Sequence, residues 1–188
     1  NQQVELTLPT DVRTVLVARL DQLTQQVKET VQTASVLGRE FEVQVLGQML
    51  GHMEKYLGNV AQAENANIWT PLNEIEYIFR HALLRDAEYS MQLLARQKVL
   101  HQTAVTAMET IYRDDLQSRY GELGYHAEKA DLKEKALDYL TRAGNAALAL
   151  YQNQQAIDYF TRALAFVPAG DLRQKFELTI LRVECYYN

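Results

Sequence analysis

Residues 137–170 read Leu137-Asp-Tyr-Leu140-Thr-Arg-Ala143-Gly144-Asn-Ala-Ala147-Leu-Ala-Leu150, then Tyr151-Gln-Asn-Gln-Gln155, then Ala156-Ile-Asp-Tyr-Phe160-Thr-Arg-Ala163-Leu-Ala-Phe-Val-Pro168-Ala-Gly170. Leu140, Ala143, Gly144 and Ala147 recur at helical spacing, and so do Ala156, Phe160 and Ala163 on the segment that follows. Small residues let two antiparallel helices approach closely, and Phe160 fills the space they leave. Pro168 stops the second helix and turns the chain. The whole constellation occupies about 34 residues, the length of a helix–turn–helix repeat. A weaker, overlapping match runs through Tyr120, Leu123, Gly124, Ala127, Ala136, Leu140 and Ala143. One helix packed on both sides serves both patterns.

Working outward, the chain predicts helices almost throughout. Pro9 with Thr10 and Asp11 opens a helix carrying Val12, Val15, Leu16, Leu20 and Leu23. A second starts near Thr24 and ends at Gly38, a third spans Phe41 to Leu50 before Gly51, and a fourth spans Glu54 to about Asn65. A change of period follows. Ile68-Trp69-Thr70 and Ile75-Glu-Tyr77-Ile-Phe79 read as two short strands around Pro71-Leu72-Asn73-Glu74. Short helices followed by a hairpin form a winged-helix pattern. From Arg80 onward the reading is helical again. It includes a long helix from Leu93 to Tyr112 with Leu94, Val99, Val105 and Met108 near its apolar face. The others cover Asp115–Lys129, Lys133–Tyr151, Asn153–Phe166 and Asp171 to the end. The expected fold is mainly all-α. It comprises an extended lead-in at 1–8, a winged-helix-like domain with one small β-hairpin at 9–92, and antiparallel helical repeats at 93–188.

Composition sets outer bounds on function. The 188 residues are 47% hydrophobic and 23% charged, ordinary for a globular chain. Net charge is −5. Residues 1–100 hold nine Lys/Arg against twelve Asp/Glu, and residues 101–188 hold ten against twelve, so neither half is a basic pole. Nucleic-acid binding draws on clustered basic residues, which are missing. A lone cysteine, Cys185, excludes an intrachain disulfide and fits a reducing, cytoplasmic setting. No apolar run is long enough to span a membrane. Both ends read as cuts inside a longer protein, and the apolar segment 171–188 reads as the first helix of a further repeat, open to self-association.

The residues 140–168 constellation resembles the tetratricopeptide repeat, with Leu140 and Ala147 in place of its usual aromatics. Three further stretches resemble a second family: Leu8-Pro-Thr-Asp-Val-Arg-Thr-Val-Leu-Val-Ala-Arg19-Leu-Asp-Gln-Leu23, Ala34-Ser-Val-Leu-Gly38-Arg39-Glu-Phe41, and Phe79-Arg-His81-Ala-Leu-Leu-Arg85-Asp86-Ala-Glu-Tyr89. In this order, ahead of helical repeats, they are similar to the region after the ATPase domain of signal-transduction ATPases with numerous domains. That family includes transcription regulators and cyclase- or kinase-linked predicted ATPases. The resemblance implies a winged helix that packs on the ATPase, and repeats that act as a sensor or partner-binding arm. It also implies ATP or ADP as the ligand of the parent protein. Around His81 the chain resembles the Met-His-Asp motif of plant disease-resistance ATPases, whose His approaches the β-phosphate of ADP. Ala82 replaces that motif's acidic residue.

The remaining chemistry is sparse. No Gly-x-x-x-x-Gly-Lys-Ser/Thr loop is present, so the chain is not expected to hydrolyse ATP by itself or to hold a cofactor. His52, His81, His101 and His126 are spaced without a metal pattern. Cys185 has no His/Asn context for a nucleophile and reads as a core thiol. Trp69 reads as a packing anchor, Arg39 as a partner for a carboxylate or for the ATPase domain. His81 is the candidate nucleotide sensor; the other reading makes its ring a cap at the hairpin-to-helix junction. A DNA-binding winged helix with a helical dimerisation arm is the alternative function. Its reading helix would be Phe41 to Leu50, which offers Gln44 and Gln48 but no Lys or Arg. The leading expectation is a non-catalytic regulatory module in which the repeats bind protein.

Overall fold

The computed structural model describes Leu20, residues 22–51 and residues 53–187, with 53–55 described by backbone alone. The helix expected from Pro9 to Leu23 falls almost wholly outside these residues, as does the lead-in at 1–8. The described chain is mainly helical with one small antiparallel sheet. It divides into two compact units, Asn1–Gln97 and Lys98–Asn188.

In the first unit the order is α1 (Gln25–Leu37), β1 (Glu40–Glu42), α2 (Val43–Leu50), α3 (Met53–Asn65), β2 (Trp69–Pro71), β3 (Glu76–Phe79) and α4 (Ala82–Ser90). Thr24 caps α1, its hydroxyl accepting the Val27 N–H at 3.4 Å. Gly38 ends it at φ 128°, a backbone region that suits glycine. The sheet runs in the order β1-β3-β2. Asn73 builds the turn between β2 and β3, its Oδ1 accepting the N–H groups of Ile75 and Glu76 at 2.9 Å each.

The expected single hairpin is therefore a three-stranded sheet. Glu40–Glu42 is the third strand; Phe41 and Glu42, assigned from sequence to the start of a helix, belong to it, and α2 begins only at Val43. Glu40 pairs with Ile78, Phe41 with Tyr77 and Glu42 with Glu76. Three residues are too few to display a period of two, so the partner strand decides the conformation. Phe41 turns inward onto Trp69 and Phe79, with ring centroids 5.1 and 5.6 Å away. Trp69 is fully buried and donates its indole N–H to the Val60 carbonyl at 3.1 Å. These rings meet Val27, Val31, Leu46, Val60 and Leu84 in one apolar core.

Several buried polar groups inside this unit are matched, though Gln92 Oε1 has no hydrogen-bond partner among the described residues. Thr30 and Thr33 bond back to the carbonyls of Gln26 and Glu29. Arg85 donates Nε to the Ser35 carbonyl at 2.8 Å, and Gln92 donates Nε2 to the Gln32 carbonyl at 3.0 Å and to Ser35 Oγ at 3.1 Å. Those bonds fix α4 against the end of α1.

Helix α5 (Leu94–Ile111) contains the boundary between the units. Its buried stripe is His101, Ala104, Val105, Ala107 and Met108. Val105 and Met108 lie where the sequence puts them, but Leu94 and Val99 are 76% and 60% exposed. Val99 sits two residues from His101, which turns it off the buried face.

The second unit continues with a 3₁₀ turn at Leu116–Arg119, α6 (Tyr120–Lys129), α7 (Lys133–Ala149), α8 (Asn153–Leu164) and α9 (Leu172–Glu184). Its central regularity is a step of 20 residues. A Cβ placed on Gly124 would come within 2.8 Å of Leu140, and one on Gly144 within 2.5 Å of the Phe160 ring. The turns repeat as well. Leu132 N–H reaches the Ala127 carbonyl and Gln152 N–H reaches the Ala147 carbonyl, both at 2.9 Å. Asp131 and Tyr151 each take positive φ, 61° and 57°, just before the bonding residue. Both are Schellman-type endings built without glycine. Asp131 therefore lies in the turn before α7, and α7 stops at Ala149, short of the expected Tyr151.

Helix α7 packs on α6 with one side and on α8 with the other. Cross-ties reinforce the stack. Arg162 on α8 holds Glu128 on α6 at 2.7 Å. Glu109 on α5 accepts from Lys135 Nζ at 2.7 Å and from the Tyr139 hydroxyl at 2.5 Å. Burial and the nearby Glu109 carboxylate both raise the Tyr139 phenol above its ordinary pKa.

Candidate functional site

The N–H of Phe79 donates to the Arg39 carbonyl at 2.9 Å, extending the β1–β3 ladder by one residue. That single bond sets Arg39, which follows Gly38, beside Arg80 and His81, which follow β3. Arg80 is pinned by its own N–H to the Ile68 carbonyl at 3.0 Å. The result is an open cleft of about 490 Å³ lined by Arg39, Thr70, Ile78, Phe79, Arg80 and His81. It offers two guanidinium groups, an imidazole and a hydroxyl over an apolar floor. No carboxylate among the described residues lines it. Among the described residues none forms an ion pair with Arg39, Arg80 or His81.

His81 occupies the N-cap position of α4, with extended backbone. Its carbonyl accepts the Leu84 N–H at 3.0 Å, while its ring makes no capping bond. The imidazole is exposed, as are Arg39 and Arg80. A helix N-terminus carries a partial positive charge, so the cleft, the imidazole and α4 all favour an anion. Guanidinium pairs suit the planar, multi-oxygen face of a phosphate. Sequence left the role of Arg39 open. What joins it to His81 is the pairing of β1, the strand that sequence reading missed.

The repeat positions gather in the second unit. Leu140, Ala156, Phe160 and Ala163 are fully buried, and Ala143, Gly144 and Ala147 are buried beside them. Pro168 is exposed in the loop after α8, where its carbonyl accepts the Asp171 N–H at 2.9 Å. Any side chain on Gly144 must displace the Phe160 ring. Gly144→Leu is expected to lower stability by about 1–3 kcal/mol through overpacking. Chemical denaturation checks it, and an unchanged midpoint removes the close contact. A groove of about 420 Å³ lies between Tyr120 and Tyr159, with Ala143, Ala146 and Ala147 among its lining residues. Gln117, Gln152 and Gln155 rim it, and Asp115 is its one charged lining residue.

A buried histidine pair escaped the sequence reading. His101 and His126 are 0% and 4% exposed, with their Nδ1 atoms 2.8 Å apart. Such a bond requires a proton on one Nδ1 and a lone pair on the other. The Tyr125 ring stands edge-on to both, at 5.7 and 5.3 Å. The residues are 25 apart on different helices, and no local motif announces them.

Other sequence candidates have structural positions. Cys185 is buried, its Sγ contacting the Leu181 carbonyl at 3.1 Å, and burial pushes the thiol pKa up. On α2, Gln44 spends its amide on Glu42 at 2.9 Å, while Gln48 is exposed. Among the described residues no three His, Cys, Asp or Glu side chains converge to hold a metal, and no helix is long and apolar enough to cross a membrane. No protein-family model, curated protein or solved structure matches the chain.

Proposed function

We propose that this chain is a non-catalytic regulatory and protein-interaction region of a multidomain signalling ATPase. In this reading residues 9–92 form a winged-helix-like domain that senses bound nucleotide, and the tetratricopeptide-like helices of 93–188 form a cytoplasmic arm that binds a protein partner. The parent supplies ATP or ADP and the hydrolytic machinery. The observation that carries the reading is the Arg39–Arg80–His81 cleft, a carboxylate-free anion site in a chain of net charge −5. Its His81 stands where the resemblance puts a phosphate contact. The 20-residue helix stack, with small residues at its contacts and a mostly uncharged groove between Tyr120 and Tyr159 that Asp115 lines at one point, supports the arm. DNA reading is less well served, because α2 has no basic residue and Gln44 is already engaged.

The test belongs in the full-length protein. His81→Ala is expected to weaken ADP retention by about 10- to 100-fold, the value of one hydrogen bond to a charged group. Circular dichroism should stay unchanged, because the ring is exposed and caps nothing. Unaltered ADP affinity together with unaltered basal activity would sink the sensor role.

A further inference from the structure

His101 on α5 and His126 on α6 are buried with their Nδ1 atoms 2.8 Å apart. A contact that short holds one proton and one lone pair. With both rings neutral, one carries its proton on Nδ1 and the other on Nε2. The lone pair left outside the bond is then Nε2 of the donor ring. A first added proton goes there and keeps the bond, at the cost of a buried charge. A second has no site but the bridging lone pair. N–H would then face N–H between two like charges. We propose that the His101–His126 contact is a proton-operated latch between α5 and α6, shut at neutral pH and forced open when acid places a proton on both Nδ1 atoms. His101 heads the buried stripe that continues through Ala104, Val105 and Met108, so parting the rings uncovers apolar surface on α5.

The charged groups on the elements around the pair do not favour a second positive charge. On α5, Lys98 lies one turn before His101 and holds Asp131 at 3.1 Å, and Asp131 also feels Lys133 at the start of α7. Glu109, two turns further along α5, is taken by Lys135 and Tyr139 of α7. On α6, Glu122 holds Arg119 at 3.2 Å and Glu128 holds Arg162 of α8 at 2.7 Å. Lys129, one turn after His126, sits 5.7 Å from the centre of the Tyr125 ring, whose edge meets both histidines. Each of these carboxylates is matched to a cation, and the lysines one turn from the rings repel added charge. The sign follows from proton counting. Separated rings bind protons at the ordinary histidine pKa of about 6.5, the closed pair binds fewer, and acid therefore drives opening. This inference stands apart from the nucleotide reading and survives its failure.

Nitrogen NMR of the histidine rings in the 188-residue chain reads the bond directly. Near neutral pH one ring of the pair is expected as the Nδ1–H tautomer and the other as Nε2–H. Two Nε2–H rings would leave no proton for the bridge and overturn the proposal. Amide hydrogen exchange reads the latch. Between about pH 7 and about pH 5 the opening constant of α5 and α6 should rise about tenfold or more, and by more than that of α8. The double variant H101N/H126N keeps an N–H···O bridge but does not titrate, so its opening constant should stay within about threefold over the same range. Acid opening that persists in H101N/H126N overturns the proposal. So does a wild-type chain with both rings protonated in acid and α5 and α6 still protected. Should the double variant not fold, the tautomers and the wild-type exchange decide alone.

Discussion

Phe160→Ala should destabilise the Lys98–Asn188 unit by about 3–5 kcal/mol, the usual loss for a fully buried aromatic. Phe160 has no exposed surface and lies in the gap that Gly144 leaves open, so removing the ring leaves a cavity. The neighbours cannot easily close it, because Ala156 and Ala163 are too short to reach across. A urea or thermal melt reads the effect. Wild-type behaviour would mean that Phe160 is no wedge and would remove the repeat arrangement with it. Combining Phe160→Ala with Gly144→Leu should cost less than the two losses added, since the leucine enters the space the ring vacates.

In the Asn1–Gln97 unit the largest expected loss comes from Trp69→Ala, again about 3–5 kcal/mol. Trp69 holds three partners at once: the Phe41 ring at 5.1 Å, the Phe79 ring at 5.5 Å and the Val60 carbonyl. The alanine variant opens a cavity and removes the indole hydrogen bond to that helix carbonyl. Trp69→Phe separates the two contributions. It keeps much of the volume, so its loss should fall to about 1–2 kcal/mol, from the lost indole hydrogen bond and the smaller ring. Equal losses for alanine and phenylalanine would show that packing contributes little there.

The parts of this fold that are local in sequence were legible. Gly144 and Phe160 announce themselves by volume and spacing, Gly38 and Gly51 by their place after apolar runs, and the β2–β3 turn by Asn73. What depended on distant partners was hidden. Strand β1 is three residues long and exists because β3 accepts it, so Phe41 and Glu42 read as helix. The anion cleft inherited that blindness: Arg39 and His81 were both noticed, yet nothing local says they share a cavity. The His101–His126 bond was hidden for the same reason, and it put a polar ring on the α5 stripe while Val99, read onto that face, is exposed. The turns at Asp131 and Tyr151 break the habit of using glycine for positive φ. That is why the sequence ran α7 through to Tyr151.

The two units also differ in how their chain must find itself. Around α7 each principal contact joins a helix to the one made just before it, as Gly124 with Leu140 and Gly144 with Phe160. Loops that close over such short separations lose little entropy, which favours rapid zippering from any point along the stack. The sheet works the other way. Glu40 has no hydrogen-bonding partner in the ladder until Ile78 arrives, with two helices and a strand between them. During synthesis the first unit therefore leaves β1 waiting, and its cleft is assembled only once residues 76–81 arrive. The helical stack behind it gathers turn by turn as it emerges.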